Sequence, residues 1–128
     1  AALAPDRIAE DISVPRAAFP EMVRRLKAIA AGHGLVVAVF GHAGDGNLHP
    51  SLLADLRLPG QRARVDGAVA EIFRTALELG GTLSGEHGIG ITKKDYMAAA
   101  LGEAGMAVHR NLKAALDPKG ILNPGKIF

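Results

Sequence analysis

The sequence predicts an α+β fold, a ferredoxin-like sandwich with helices packed on one face of a mostly antiparallel sheet. Three observations predict it. Apolar residues recur at helical spacing in two long stretches. Short Val- and Leu-rich runs alternate with them in the order strand–helix–strand–strand–helix–strand. Turn-forming glycines, 16 in 128 residues, separate the pieces.

The elements follow in order. Ile8 to Val14 reads as a short strand ended by Pro15. Pro20 suits the first turn of a helix, because its ring fixes φ and its missing N–H is not needed there. Met22, Val23, Leu26, Ile29 and Ala30 then mark one helical stripe, closed by Gly32 and Gly34, with His33 part of the stop. Leu35 to Phe40 is a continuous apolar run and reads as a buried strand. Beyond a loop at Gly41 to Gly46, Leu48 to Leu53 reads as a second strand, its Pro50 implying an edge position or a bulge. A longer helix is expected over Gln61 to Leu79, with Val65, Val69, Ile72, Phe73, Ala76 and Leu77 on its inner stripe. Thr82 to Ser84 is a short extended piece. Lys93 to Leu116 reads as a helical region broken near Gly102 and Gly105, and turns follow at Asp117–Gly120 and Asn123–Gly125.

Composition narrows the function. The chain is 48% hydrophobic and 22% charged, ordinary for a globular protein, and its length suits one domain over residues 1–128. The absence of Cys excludes disulfides, thiolate metal sites and a cysteine nucleophile. No apolar run approaches the ~20 residues of a bilayer span, and Ala1 to Phe19 lacks the apolar core of a secretory signal. A net charge of +2, carried by scattered basic residues, makes a poor phosphate footprint, and the absence of Trp leaves little stacking surface, so nucleic acid is not the expected partner. A cytoplasmic protein is expected. A sequence that opens on Ala1 without an initiator Met reads as an excised piece of something longer.

Two glycine-rich loops hold three of the five histidines: Gly41-His42-Ala43-Gly44-Asp45-Gly46-Asn47-Leu48-His49, and Ser84-Gly85-Glu86-His87-Gly88-Ile89-Gly90. Neither has the Gly-x-Gly-x-x-Gly order of a dinucleotide fingerprint. Gly85 to Thr92 has P-loop glycine spacing, but Ile91 stands where the phosphate-binding lysine belongs. A hairpin turning at Ala43–Gly46 would set His42 opposite Asn47 and Phe40 opposite His49. The two imidazoles then share one face as diagonal neighbours, about 7–8 Å apart at Cα, within reach of one metal ion. Glu86 would add a carboxylate oxygen. Two imidazoles and a carboxylate with open positions suit zinc or manganese, with ferrous iron an alternative. The other reading makes His42 and His49 hydrogen-bonded loop residues that help Asp45 hold the turn, and Glu86 a carboxylate satisfied by backbone amides. His87, adjacent to Glu86, would point the other way along an extended segment and could act as a general base near neutral pH. His109, beside Arg110 and Lys113, reads as solvated.

At these loops the chain resembles the C-terminal domain of the FAD-linked oxidases of the vanillyl-alcohol-oxidase superfamily, of the D-lactate dehydrogenase, glycolate oxidase FAD subunit and D-2-hydroxyglutarate dehydrogenase type. The matching segments are Gly41–Pro50 (GHAGDGNLHP), Ser84–Gly90 (SGEHGIG), Asp117–Lys126 (DPKGILNPGK) and Glu10–Arg16 (EDISVPR). The resemblance implies oxidation of a 2-hydroxy acid to a 2-oxo acid, with hydride passed to an FAD held mainly by a separate N-terminal domain of the same chain. It implies His42, His49 and Glu86 as ligands of a divalent metal, zinc or manganese, and His87 as the residue that takes the hydroxyl proton or holds substrate. Ser51 would inherit a substrate-binding role, although Pro50-Ser51 stands where the hydroxyglutarate enzymes have an apolar residue and then Asn. Asn123 would pass close to the flavin. Peripheral attachment to the inner membrane, and a homo-oligomer, are compatible with such an enzyme. No FAD-binding sequence lies within these 128 residues, so the piece by itself is expected to be inactive. Two other functions fit the residues alone: a stand-alone metal- or small-ligand-binding module, and a metal-dependent hydrolase or oxygenase.

Overall fold

A computed structural model of the chain describes residues 3–128; Ala1 and Ala2, with which the sequence opens, lie outside them. The described residues form two compact units divided between Glu86 and His87.

The first unit contains strands β1 (Asp6–Ala9) and β2 (Ile12–Ser13), helix α1 (Phe19–Gly32), the hairpin β3 (Val36–His42) and β4 (Asn47–Ala54), and helix α2 (Gln61–Glu78). All strand pairs are antiparallel. β4 is central: β1 and β2 line one side of it, and β3 runs along the other. Thr82 adds a one-residue bridge to Ser13 on the outer side of β2. Across the sheet the order is therefore the Thr82 bridge, then β2 end to end with β1, then β4, then β3, and the expected α+β sandwich is what forms.

Pro20 does sit in the first turn of α1, and Met22, Leu26, Ile29 and Ala30 are buried along one stripe. On α2 the buried stripe is Val65, Ala68, Ile72, Phe73, Thr75 and Ala76. Both helices pack on the sheet face that carries Leu48 and Leu52. Complete burial of Phe73, Ile72 and Leu52 contributes about 1.5–3 kcal/mol apiece.

Three expectations change. The strand expected over Ile8 to Val14 is two strands, interrupted at Glu10 and Asp11. The stretch expected as a buried strand forms β3, but Val36 and Phe40 are 59% and 51% exposed, because β3 pairs only with β4 and its even-numbered residues face away from the helices. Pro50 lies neither at an edge nor in a bulge. It sits in the central strand, where its carbonyl accepts the Glu10 N–H at 2.9 Å. In an antiparallel strand a residue's N–H and C=O point the same way. The donor that Pro50 lacks therefore faces Glu10, so that pair keeps one of its two ladder bonds and the pairing is interrupted there, between β1 and β2.

The second unit has a 3₁₀ turn at Lys94–Tyr96 and helix α3 (Met97–Leu116). The expected break falls at Gly102 (φ 65°, ψ 175°), and Gly105 stays helical. His109 is exposed on α3. After the helix, Asp117 accepts Lys113 Nζ at 2.6 Å and the N–H groups of Ile121 and Leu122 at 3.0 and 2.9 Å. The ammonium beside it, with these amides, holds the Asp117 carboxyl below the usual carboxylate range. Among the described residues, no helix is long and apolar enough to cross a membrane.

Candidate metal centre

The hairpin register is the one the loop length implies: His42 pairs with Asn47 and Phe40 with His49. The turn is tied by Asp45 N–H to the His42 carbonyl at 3.0 Å. Gly46 (φ 73°) is required there, because a Cβ on it would lie 2.0 Å from the Val14 carbonyl oxygen. That carbonyl belongs to the segment directly after β2, so the glycine lets the hairpin close against the neighbouring strand.

Alternation puts Asn47, His49 and Ser51 on the sheet face opposite the helices, with Phe40 and His42 beside them. The His42 and His49 rings lie 5.4 Å apart and nearly perpendicular, at 86°. Glu86 arrives from the second glycine loop. Its Oε1 is 3.1 Å from His49 Nε2 and 3.8 Å from His42 Nε2. One donor atom from each of the three residues lies within 4.8 Å of the others. Bonds of about 2.0–2.1 Å to a tetrahedral ion would separate ligands by about 3.3 Å, so small side-chain rotations fit this donor set to a divalent cation. His49 is buried, whereas His42 and Glu86 are exposed and leave one side of the group open.

The second loop is seated by Asp11. One carboxylate oxygen accepts Ser84 Oγ at 2.5 Å and the N–H groups of Gly85 and Glu86 at 2.9 and 3.0 Å. The other accepts Asn47 Nδ2 at 2.6 Å and lies 3.8 Å from His49 Nδ1. Gly85 is needed for the fit, since a Cβ there would lie 2.1 Å from Asn47 Nδ2. Further along the same face, Arg7 Nε donates to Ser51 Oγ at 3.0 Å, and its guanidinium lies over the Phe40 ring, 5.4 Å from the centroid. Ser51 is itself buried.

The structure thus brings together His42, His49 and Glu86. His87 follows directly in sequence, is exposed, and begins the second unit. Asn123 belongs to that unit as well, exposed in the terminal turn with φ 46°. Sequence reasoning assigned no role to Asp11 or Asn47. The available signal was Glu10-Asp11, two acids in succession inside the alternation from Ile8 to Val14. The pairing of His33 Nε2 with Glu71 Oε2 at 3.0 Å, at the end of α1, was also not foreseen.

Residues 2–127 match the family described as FAD linked oxidases, C-terminal domain. The chain belongs to that family. It is 48% identical over its whole length to the glycolate oxidase subunit GlcD of Bacillus subtilis (strain 168), of which it covers 27%. It is 42% identical, over 92% of its length, to the mitochondrial D-lactate dehydrogenase [cytochrome] of Kluyveromyces lactis, of which it covers 20%. Among solved structures, 94% of the chain superposes with a TM-score of 0.59 and 25% identity on 24% of 4-ethylphenol oxidase from Gulosibacter chungangensis, in its isoeugenol complex. The chain spans about a quarter of the length of these relatives.

Proposed function

We propose that residues 1–128 are the substrate-side domain of an FAD-dependent 2-hydroxyacid dehydrogenase of the D-lactate or glycolate class. The observation that carries this reading is the convergence of His42, His49 and Glu86 within 4.8 Å on one sheet face, in a chain whose relatives include a glycolate oxidase subunit and a D-lactate dehydrogenase.

In this reading His42, His49 and Glu86 hold a divalent ion, zinc or manganese. When bound, the ion acts as a Lewis acid and template for the substrate's hydroxyl and carboxylate oxygens. FAD, held mainly by another domain of the full-length chain, is the hydride acceptor and supplies the redox chemistry. The chain's own residues do the rest. His87 takes the hydroxyl proton. Arg7, steered by Ser51 Oγ and the Phe40 ring, offers its remaining N–H donors to an anionic group on the substrate; through this contact Ser51 serves substrate binding. Asn123 meets the flavin side. The protein works in the cytoplasm or attached peripherally to the inner membrane, with self-association compatible with either.

The test uses the full-length protein that carries this chain. Wild type is expected to hold close to one equivalent of zinc or manganese, and His42→Ala to lose it. His87→Ala is expected to keep metal and flavin while turnover of D-lactate or glycolate falls about 10²–10⁴-fold. Full turnover by His87→Ala, or by chelator-stripped wild type, overturns the assignment.

A further inference from the structure

We infer that Asp11 is the positioning residue of the metal site, setting where Glu86 stands and which nitrogen His49 presents. The inference rests on the reading of His42, His49 and Glu86 as ligands and adds a residue that does not touch the ion.

Asp11 is wholly buried. A carboxylate without water is expensive unless hydrogen bonds replace its hydration. Here the replacement comes from Asn47 Nδ2, Ser84 Oγ and the N–H groups of Gly85 and Glu86, at 2.5–3.0 Å. β1 and β2 pair with β4 in one continuous register, Ala9 with Ser51 and Ile12 with Leu48. Asp11 therefore falls directly across from His49, and its Oδ1 lies 3.8 Å from Nδ1 of that ring. That separation is longer than a hydrogen bond, but it puts the negative charge against the nitrogen on the far side of the ring from Glu86.

Two consequences follow for the ligands. Binding the Glu86 N–H fixes the backbone from which its carboxylate projects. A negative charge facing Nδ1 favours the proton on that nitrogen, so that Nε2, whose N–H otherwise donates to Glu86 Oε1 at 3.1 Å, can offer its lone pair when an ion is bound. An aspartate suits both tasks because it only accepts, with about four lone-pair sites, whereas an asparagine would turn an NH₂ group toward donors. A purely structural tie between the β1–β2 junction and the second loop would need the backbone contacts but not the charge against His49.

The experiment measures Zn²⁺ affinity by calorimetry and the visible spectrum of the Co²⁺-loaded site, in the full-length protein carrying this chain. Asp11→Asn is expected to bind Zn²⁺ about 10–100-fold more weakly, with a shifted Co²⁺ d–d spectrum and faster amide exchange at Gly85 and Glu86 in the metal-free protein. Ile72→Val, a core change that lowers stability, is expected to leave affinity and spectrum unchanged. Ser84→Ala removes one donor and keeps the charge, so a loss of about threefold is expected; if Asp11→Asn does not fold, this variant decides, and unchanged affinity overturns the inference. Wild-type affinity and spectrum in Asp11→Asn, with binding abolished in His42→Ala, overturns the role of Asp11 and leaves the ligand set standing. A wild-type protein that binds no Zn²⁺ overturns both.

Discussion

The two faces of β4 are equally buried and chemically opposite. Toward the helices, Leu48, Leu52 and Ala54 are at most 3% exposed; on the other side, Asn47, His49 and Ser51 are at most 6% exposed. The first face gains stability from area removed from water. The second gives some back, because each polar group must recover in the protein the hydrogen bonding it had in water. It does so pair by pair: Asn47 with Asp11, His49 with Glu86, and Ser51 with Arg7. Burial alone does not separate core from site; the identity of each buried group's partner does.

The largest effect that could break this contrast comes from exchanging one residue on each face. Leu52→Ala is expected to cost about 2–5 kcal/mol in chemical denaturation and to leave Zn²⁺ affinity of the folded protein unchanged. His49→Ala is expected to do the reverse, cutting affinity about 100-fold or more with a smaller loss of stability. If both variants lose stability and affinity together, the faces are not separable and the contrast fails.

A smaller effect is expected from the loop that closes over the polar face. In Gly85→Ala the new methyl meets Asn47 Nδ2, with Ser13 Oγ at 2.7 Å, so the loop must back away. Stability should fall by about 1–3 kcal/mol, with Glu86 displaced and Zn²⁺ affinity lowered about tenfold. Unaltered affinity would show that Glu86 reaches the imidazoles without this close approach.

The smallest effect sharpens the comparison in the second unit. Asp11 accepts from Asn47, Ser84 and two backbone amides, and Asp117 has an ammonium at 2.6 Å and two amides, with its pKa lowered. A carboxyl whose pKa is lower when folded stabilises fully above its unfolded value, about 3.9. That contribution fades as pH falls from there through the folded value. Amide exchange at Ile121 and Leu122 should therefore stay protected from pH 7 down to about 4 and lose protection below it. In Asp117→Asn the loss should no longer depend on acid. Protection in wild type that does not change below pH 4 would remove Lys113 as the cause.

Much of this was legible before any fold was known. The stripes of α1 and α2, the hairpin register that pairs His42 with Asn47, and the four segments that place the chain among FAD-linked oxidase C-terminal domains all come from residues close together in sequence. Periodicity and turn length are local properties, so a linear string carries them. Which strand lies in the centre is not local. Pro50 looked like an edge or bulge residue until the gap at Glu10-Asp11 was seen to face its missing donor, and β3 looked buried until it proved to have one neighbour. Nor could spacing show that Glu86 arrives at imidazoles some forty residues away, or that Asp11 is what seats it there. Those meetings depend on how β2, the hairpin and the loop after α2 pack together, which the sum of many weak burial and hydrogen-bond terms decides only when the chain has closed.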